Sequence, residues 1–270
     1  MRPGFLPLGT ALALSSLSVP LPHRAPPVVA SSAVSKERAR LNAIFSACAE
    51  GQSISSEDEA AIRAVGGRRS SRYGEITPRG FAKLAARLEL GEDDVFADLG
   101  SGTGRACFQA VHDHGVRVSC GVELSLTRHE AAVQKRDALE AHEAERVRLV
   151  CADCAAAELW SHGGAMHDAS VVWICSELYN DALMERIGAC LEGSESVRAV
   201  ATLRPFPGGL RGYRLEARPE RCEMSWTAAL TNPNAVGTEP DDESAGAAVH
   251  IYVHSALDGV GSSHSAVEKP

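Results

Sequence analysis

The chain lacks an excess of positive charge. Its 270 residues carry 27 lysines and arginines against 35 aspartates and glutamates, which gives a net charge of −8 at pH 7. Because nucleic acids are held largely through contacts between basic side chains and phosphates, this balance argues against a protein that binds them by bulk charge alone. A local cluster is present at Arg68, Arg69, Arg72 and Arg79, and both a binding patch and a solvated basic loop fit it.

The sequence does not predict a membrane span either. The apolar stretch at residues 5–19 is short and interrupted, and prolines follow it at positions 20, 22, 26 and 27. Arg2, the absence of acids before Glu37 and the small residues near position 30 are typical of a secretory or plastid leader. Residues 1–34 are interpreted as such a leader, and a disordered tail or a wrongly assigned start codon fits them equally well.

The eight cysteines do not have the regular spacing of a small disulfide-bonded protein. They fall mainly within predicted strands and helices, at positions 48, 107, 120, 151, 154, 175, 190 and 222. This distribution favours buried free thiols. Cys151 and Cys154 make a C-x-x-C pair, but a zinc site needs a second pair of ligands at suitable spacing, so no metal site is predicted. A redox pair and two small residues at a strand end are both open interpretations, and we favour the second.

What the sequence does have is a glycine-rich turn between an apolar run and a helical run. Residues 98–104 read Asp-Leu-Gly-Ser-Gly-Thr-Gly, after Val95-Phe96-Ala97 and before a helix-like segment. The three glycines allow a tight turn and a close approach of the backbone to a ligand. A second apolar run, residues 116–122, ends at Glu123, where an acid binds a ribose in such folds. Together these features predict a nucleoside-cofactor site.

The turn differs from two familiar phosphate-binding motifs. It opens with an acid and lacks the third glycine of the dinucleotide fingerprint, and it lacks the Lys-Ser/Thr ending of a nucleotide-phosphate loop. An acid beside the turn repels phosphates but suits a cationic ligand that carries free hydroxyls. The motif therefore favours S-adenosylmethionine as the cofactor, with an ordinary tight turn in an unrelated α/β protein as the alternative.

Apolar and helical patterns alternate along the chain. Strands are predicted at residues 94–99, 116–123, 147–152, 170–175 and 197–203. Helices are predicted at residues 53–65, 78–90, 104–113, 125–143 and 179–192. Such alternation predicts an α/β fold, in which a parallel sheet carries helices on both faces.

The end of the chain has a different character. Two strand-like runs at residues 223–230 and 248–254 predict a closing strand pair, and residues 231–247 between them are interpreted as a loop insert. The predicted domains are then a helical extension at 35–72, a catalytic domain at 73–255 and a disordered tail at 256–270.

Three short motifs stand at characteristic separations. Tyr73-Gly74-Glu75 is followed by the turn that begins at Asp98 and by Gly121-Val122-Glu123. With these spacings the segment resembles the disruptor-of-telomeric-silencing methyltransferases, the histone-lysine enzymes that lack a SET domain. Later elements resemble the family in order, so that the resemblance covers residues 70–255: Asp153, Arg204-Pro205-Phe206, and the segments 224–227 and 250–254, which resemble a closing hairpin. It implies a Rossmann-like class I methyltransferase fold, with a mostly parallel seven-stranded sheet and a closing antiparallel hairpin.

The resemblance also implies roles for the matching residues. Tyr73-Gly74-Glu75 covers the methionine part of S-adenosylmethionine. The pocket beneath it is shaped by residues of the turn and its flank: Asp98, Gly100, Ser101, Gly102, Gly104 and Arg105. Glu123 accepts hydrogen bonds from the ribose hydroxyls, and Asp153, with Cys154 beside it, accepts one from the adenine amino group. Trp226 and Tyr252 line the channel for the acceptor lysine, and the alternative is that they fill the core.

The chain departs from the family where cofactor and acceptor meet. Cys175 stands at the end of the fourth strand, where the family has asparagine, and a thiol is a weaker hydrogen-bonding group than an amide. Arg105 replaces a glutamine, Ile76 stands where the family often has threonine, and Cys154 replaces a bulky residue. Cys175, Trp226 and Tyr252 are thus the candidate catalytic residues, and the departures favour retained cofactor binding over retained histone specificity.

The resemblance implies an S-adenosylmethionine-dependent protein-lysine N-methyltransferase in the nucleus. Its partner is a protein with an acceptor lysine, a histone in a nucleosome among the candidates, with a weak case for DNA contact, no membrane partner and a monomeric state. The alternatives are a methyltransferase of another protein or a small molecule, and a non-catalytic cofactor-binding scaffold because of Cys175. The leader interpretation places the protein in a plastid or the secretory pathway instead. Glu177 and Tyr179 are candidates for a base by position alone, and an ordinary loop is the favoured interpretation of both.

Overall fold

The computed structural model describes residues 51–228 and 246–256. The predicted leader at residues 1–34 lies outside them, as do residues 231–245 of the predicted insert and residues 257–270 of the predicted tail. Within the described part, every helix is too short or too polar to cross a bilayer.

A single mostly parallel sheet organises the described residues. Its strands are β1 (Val95–Leu99), β2 (Val118–Glu123), β3 (Val147–Cys151), β4 (Val171–Ile174), β5 (Ala199–Thr202), β6 (Tyr213–Leu215), β7 (Glu220–Cys222) and β8 (Ala247–His254). They pair in the order β3-β2-β1-β4-β5-β8-β6, and β7 also pairs with β8. Strands β1 to β5 are parallel, whereas β8 is antiparallel to its three neighbours. The predicted α/β class I fold is confirmed, with eight strands in the described residues instead of the predicted seven.

Alternate side chains of the central strands enter two separate cores. Phe96 and Trp173 belong to the core on one face, and Ala97 and Val172 belong to the core on the other. Both faces are buried because successive side chains of a strand point in opposite directions and helices cover each side. This is why these strands appear in the sequence as continuous apolar runs.

Eight helices lie in the described residues: α1 (Ser56–Gly66), α2 (Pro78–Arg87), α3 (Arg105–His114), α4 (Leu126–Asp137), α5 (Ala141–Ala144), α6 (Ala157–Trp160), α7 (Asp181–Glu192) and α8 (Ser225–Ala228). The side chain of Thr77 accepts a hydrogen bond from the Gly80 amide at 3.1 Å, so the predicted cap of α2 is confirmed. The helix predicted at residues 125–143 is wrong as one element, because the backbone becomes extended at Glu140 and starts a second helix there. The short helix α6 was not predicted.

The strand predicted at residues 223–230 is also wrong. The strand in this region is β7 at Glu220–Cys222, and Met224 forms only a single bridge with Ile76 before the chain enters α8. The hydroxyl of Thr227 accepts from the Met224 amide at 2.9 Å and so satisfies locally a donor that a strand would pair across the sheet. The closing strands are therefore β6, β7 and β8, and the segment 224–227 contacts Gly74 and Glu75.

Candidate functional site

The glycine-rich turn lies at the carboxyl end of β1. Gly100 and Gly102 have φ values of 86° and 56°, in the left-handed region where side chains are strained. A Cβ at Gly100 would lie 2.2 Å from the Tyr179 hydroxyl oxygen, and one at Gly102 would lie 2.6 Å from a ring carbon of Tyr73. The two tyrosines close on this turn, which leaves space only for glycine.

Glu123 holds the turn in place from the end of β2. One of its carboxylate oxygens accepts from the Gly102 amide and the other from the Ser125 amide, both at 2.8 Å. The side chain is buried and also lines a cavity in front of the sheet. Because two carboxylate oxygens offer about four lone pairs, these two bonds leave capacity for ligand hydroxyls.

Asp98 carries a buried carboxyl group that has no compensating partner among the described residues. Only 4% of the residue is exposed, and its Oδ1 atom has no hydrogen-bond partner among the described residues. Burial, followed by the nearby carboxylates of Glu123 and Glu75, raises the pKa of this carboxyl to about 8. Because a buried unpaired carboxylate is unfavourable, the site is suited to a ligand that brings positive charge.

The Tyr73-Gly74-Glu75 segment lies over the turn, where it was predicted to cover the cofactor. The Tyr73 hydroxyl hydrogen-bonds to the Glu75 carboxylate, and the Thr103 hydroxyl donates to the same carboxylate at 3.2 Å. Arg105 pairs with Glu75 across 3.1 Å, from Nε to Oε2. Burial and the Glu75 carboxylate raise the pKa of the Tyr73 phenol, which keeps its proton and acts as a donor.

Two cavities adjoin beneath and beside this segment. The larger has a volume of about 330 Å³, within the range of small-molecule sites, and the smaller has about 20 Å³. Asp98 lines the smaller cavity, together with Glu75, Ser101 and Arg105. The residues that line both cavities are Tyr73, Gly74, Gly100 and Cys175. The turn, Glu123 and Asp98 therefore belong to one site, and its residues fit the predicted S-adenosylmethionine, which carries ribose hydroxyls and positive charge.

Asp153 and Cys154 line the larger cavity beyond the end of β3. The Asp153 carboxylate accepts from the Ala155 amide at 3.0 Å and pairs with Arg186 at 2.6 Å. Cys154 is buried, whereas Cys151 is exposed, and both are free thiols. Among the described residues, no group of three or more histidines, cysteines and acids could hold a metal ion.

Cys175 and Trp226 meet at Gly74, on the side of the cavity where the acceptor was predicted. The Cys175 thiol donates to the Gly74 carbonyl, with 3.6 Å between sulfur and oxygen. A Cβ at Gly74 would lie 2.4 Å from the Trp226 ring, so the indole packs directly against this glycine. Trp226 keeps 37% of its surface exposed and lines the larger cavity.

The placement predicted for Tyr252 is wrong. Its side chain is 1% exposed and belongs to one of the two cores, and neither cavity is lined by it. Its hydroxyl accepts from the Phe206 amide at 3.1 Å, and the two rings pack edge to face. Position 252 pairs with Val200 in the middle of β5, which places the ring in the core and away from the channel.

The segment before Tyr73 forms a wall of the site that was not predicted from the sequence. Ile62, Val65 and Gly66 line the larger cavity. The acid that fastens this segment is Asp58, which accepts from the Ser125 hydroxyl at 2.7 Å and from two amides at the start of α4. These contacts join positions about seventy residues apart in sequence, so no local sequence pattern predicts them.

Arg128, in the first turn of α4, is a second residue that sequence reasoning missed. Its buried guanidinium donates to the carbonyls of Gly51 at 2.9 Å and Ser71 at 2.8 Å. The same group lies 4.7 Å from the centre of the Tyr73 ring, within the range of a cation–π contact. Arg128 thus joins Gly51 and Ser71, near the two ends of the segment before Tyr73, to the tyrosine that closes on the turn.

The two candidate bases both line the larger cavity but differ in chemistry. The Tyr179 hydroxyl donates to the Leu99 carbonyl at 3.3 Å, and burial raises its pKa well above the usual value. A phenol in that state does not accept a proton at neutral pH. Glu177 is exposed at the edge of the cavity.

Comparison with known proteins gives sequence relatives of one kind. A histone-lysine N-methyltransferase described as H3 lysine-79 specific, from Cryptococcus neoformans var. neoformans serotype D, is 30% identical over 171 residues, which are 57% of this chain and 24% of that protein. A protein of the same description from Candida albicans is 27% identical over 173 residues, 57% of this chain and 12% of its own length. The chain therefore spans a quarter or less of these relatives.

Solved structures show weaker likeness. An S-adenosylmethionine-dependent methyltransferase from Geobacter sulfurreducens, with bound S-adenosyl-L-homocysteine, has 20% identity and a TM-score of 0.38 over 55% of each chain. One from Thiobacillus denitrificans has 23% identity and a TM-score of 0.35 over 47% of this chain and 48% of its own.

The family match covers the site itself. Residues 68–207 match the family described as "Histone methylation protein DOT1". This range contains the covering segment, the glycine-rich turn, Glu123, Asp153 and Cys175. Because it extends over more than half of the chain, the chain belongs to the DOT1 family of S-adenosylmethionine-dependent methyltransferases.

Proposed function

We propose that this chain is an S-adenosylmethionine-dependent protein-lysine N-methyltransferase. The observation that carries the proposal is the unpartnered, buried carboxylate of Asp98 beside Glu123 in the glycine-rich turn, next to a cavity of small-molecule size. S-adenosylmethionine needs one carboxylate near its positive charge and a second one near its ribose hydroxyls.

Each part of the site would then hold one part of the cofactor. Glu123 accepts from the ribose hydroxyls, Asp98 offsets positive charge, and Asp153 faces the adenine end. Tyr73 and Glu75 cover the methionine end, and Arg128 keeps them in place. The cofactor supplies a methyl group on a sulfonium, so the protein contributes position and a shaped, dry pocket.

The acceptor enters from the side of Trp226. A lysine must lose a proton before it can accept a methyl group, and its ordinary pKa is about 10.4. The indole of Trp226 offers an apolar surface there, and removal of the ammonium from water lowers its pKa towards neutrality. The geometry therefore supports an amine acceptor delivered on a flexible side chain.

A histone is the first acceptor to test, because the curated relatives are described as H3 lysine-79 specific enzymes. We infer that this chain acts on histone H3, within a nucleosome, and works in the nucleus as a monomer. The net charge of −8 gives little support to broad DNA contact, so docking would depend on the histone surface and on the local arginines near position 70.

Binding and transfer can be measured together. The full chain should bind S-adenosylmethionine by calorimetry and should transfer tritiated methyl groups to recombinant nucleosomes. Glu123→Ala should abolish both, and Glu185→Ala, an exposed acid on α7, should leave both unchanged. A folded wild-type protein that does not bind the cofactor would overturn the proposal.

Cys175 supports a second candidate, a cofactor-binding protein that no longer transfers methyl groups. The thiol stands where the family has asparagine, and it lies between the two cavities. Under this alternative the wild type binds the cofactor without transfer, and Cys175→Asn gains methylation of nucleosomes. Methyl transfer by the wild type at a rate equal to that of Cys175→Asn excludes this alternative.

A further inference from the structure

We propose that Glu177 receives the cationic side chain of the acceptor at the mouth of the larger cavity, and that it selects an ammonium over a neutral group. This inference rests on the proposed function and adds to it the residue that recognises the acceptor. The asparagine side chain that the family has near this position is absent, because Cys175 stands in its place.

The position of Glu177 is the first argument. It follows β4 by three residues and lines the larger cavity with Cys175 and Trp226. The residue is exposed, so its carboxylate lies on the solvent side of this cavity. Within residues 51–228 and 246–256, no hydrogen bond or ion pair engages it. A carboxylate at a cavity mouth with these properties is available to an incoming cation.

The distribution of charge around Cys175 is the second argument. Burial raises the pKa of the Cys175 thiol, and the carboxylates of Asp98, Glu75 and Glu177 raise it further. Glu75 is occupied by Tyr73 and by Arg105. That leaves Asp98, which lines the smaller cavity, and Glu177, which lines the larger one, while Cys175 lines both.

Asp98 is the buried one of these two carboxyl groups. Asp98 is 4% exposed, and its Oδ1 atom is buried without a partner where it lines the smaller cavity beside Cys175. Asp98 does not line the larger cavity, whereas Glu177 does. The neutral thiol of Cys175 is a poor acceptor for an ammonium. Of the other carboxylates that line the larger cavity, Glu123 is held by two amides and Asp153 by an amide and Arg186. Glu177 is the one with no such partner among the described residues.

Arg72 is the cation to consider against this assignment, because it also lines the larger cavity and is exposed. No ion pair joins it to Glu177 in the described structure. The Arg128 guanidinium is held by backbone carbonyls of Gly51 and Ser71 and is not available either. The acceptor's own ammonium is therefore the partner that fits Glu177.

A pair of cofactor analogues tests the inference by binding. In both, nitrogen replaces the cofactor sulfur; one carries an n-butyl chain towards the acceptor side and the other a 4-aminobutyl chain. The wild type should prefer the aminobutyl analogue by about fivefold at low salt, the upper range for an exposed ion pair. The preference should shrink as salt is added, because exposed charges are screened.

The variants separate a charge effect from a structural one. Glu177→Gln should abolish the preference without weakening the butyl analogue, and Glu177→Asp should keep part of it. Glu185→Gln, an exposed acid on α7, should keep all of it. In methylation assays on nucleosomes, Glu177→Gln should raise KM for the acceptor about fivefold, with kcat nearly unchanged.

The outcomes distinguish this inference from the proposed function. If the wild type binds both analogues and the preference survives in Glu177→Gln, the role of Glu177 is refuted and the cofactor site stands. If the wild type binds both analogues equally, the same conclusion follows. If the folded wild type binds neither analogue nor S-adenosylmethionine, the proposed function and this inference fall together.

Discussion

Replacement of Asp98 by asparagine should remove cofactor binding and at the same time stabilise the free protein at neutral pH. Asparagine has nearly the shape of aspartate but carries no charge. In the folded protein burial, together with Glu123 and Glu75, raises the pKa of the Asp98 carboxyl to about 8, against a usual value of 3.8. The folded state therefore keeps a proton that the unfolded chain releases.

The size of the effect follows from proton linkage. A group whose pKa is raised on folding contributes stability that is fully present below the unfolded pKa and is lost as the pH rises through the folded pKa. For Asp98 the loss begins near pH 4 and ends near pH 8. At 1.36 kcal/mol for each pH unit, the wild type should lose about 4 kcal/mol relative to Asp98→Asn between pH 4 and pH 7.

Urea unfolding at pH 5, 6 and 7 measures this difference. The free energies of unfolding of wild type and Asp98→Asn should diverge steadily across that range, and Asp137→Asn, an exposed acid on α4, should follow the wild type. Calorimetry should also show that the wild type releases a proton when it binds S-adenosylmethionine near pH 7, because positive charge lowers the pKa of Asp98. Parallel stability profiles for wild type and Asp98→Asn would refute the reasoning.

Three further substitutions test the geometry. Gly100→Ala should weaken S-adenosylmethionine binding at least tenfold in calorimetry, because its Cβ would lie 2.2 Å from the Tyr179 hydroxyl at a φ of 86°; unchanged affinity would show that the turn can yield. Arg128→Lys should lower cofactor affinity and the protection of residues 51–73 in hydrogen exchange, because an ammonium cannot bridge two carbonyls and the Tyr73 ring as the guanidinium does; equal protection would contradict this. Asp58→Ala should cost about 1 to 2 kcal/mol in urea unfolding at pH 7. Burial of Asp58 opposes its charge, but its hydrogen bonds outweigh that and hold its pKa below the usual value, so the difference should vanish as the pH falls through the folded pKa; a difference that persists at low pH would argue against the cap.

The elements that could be predicted from sequence are those whose signal is local. Strands β1, β2 and β4 are buried on both faces and therefore appear as short apolar runs, and the turn after β1 is marked by its glycines. The acid at the end of β2 follows from the same pattern. For these residues the contacts that matter lie within one strand–turn–helix unit, and the turn and Glu123 were placed correctly for that reason.

The errors at Tyr252 and at residues 223–230 come from contacts between distant segments. Tyr252 was placed in the channel because of its neighbours in sequence, but its register against Val200 turns it into the core. The run at residues 223–230 looks strand-like, yet the Ser225 hydroxyl accepts from the distant Glu75 amide and the Thr227 hydroxyl from the Met224 amide, and the strand ends early. The wall of the site formed by the segment before Tyr73 depends on contacts of Asp58 and Arg128. Their partners are distant in sequence, so no periodic pattern predicts these contacts.

The proton on Cys175 has a consequence for the chemistry of the whole site. A methyl sulfonium is an electrophile, and among protein groups a thiolate is a strong nucleophile towards it. Burial and three surrounding carboxylates keep this thiol in its protonated, weakly reactive form at neutral pH. The protein can thus hold an alkylating agent next to a cysteine without becoming its own substrate, and the methyl group is kept for the acceptor.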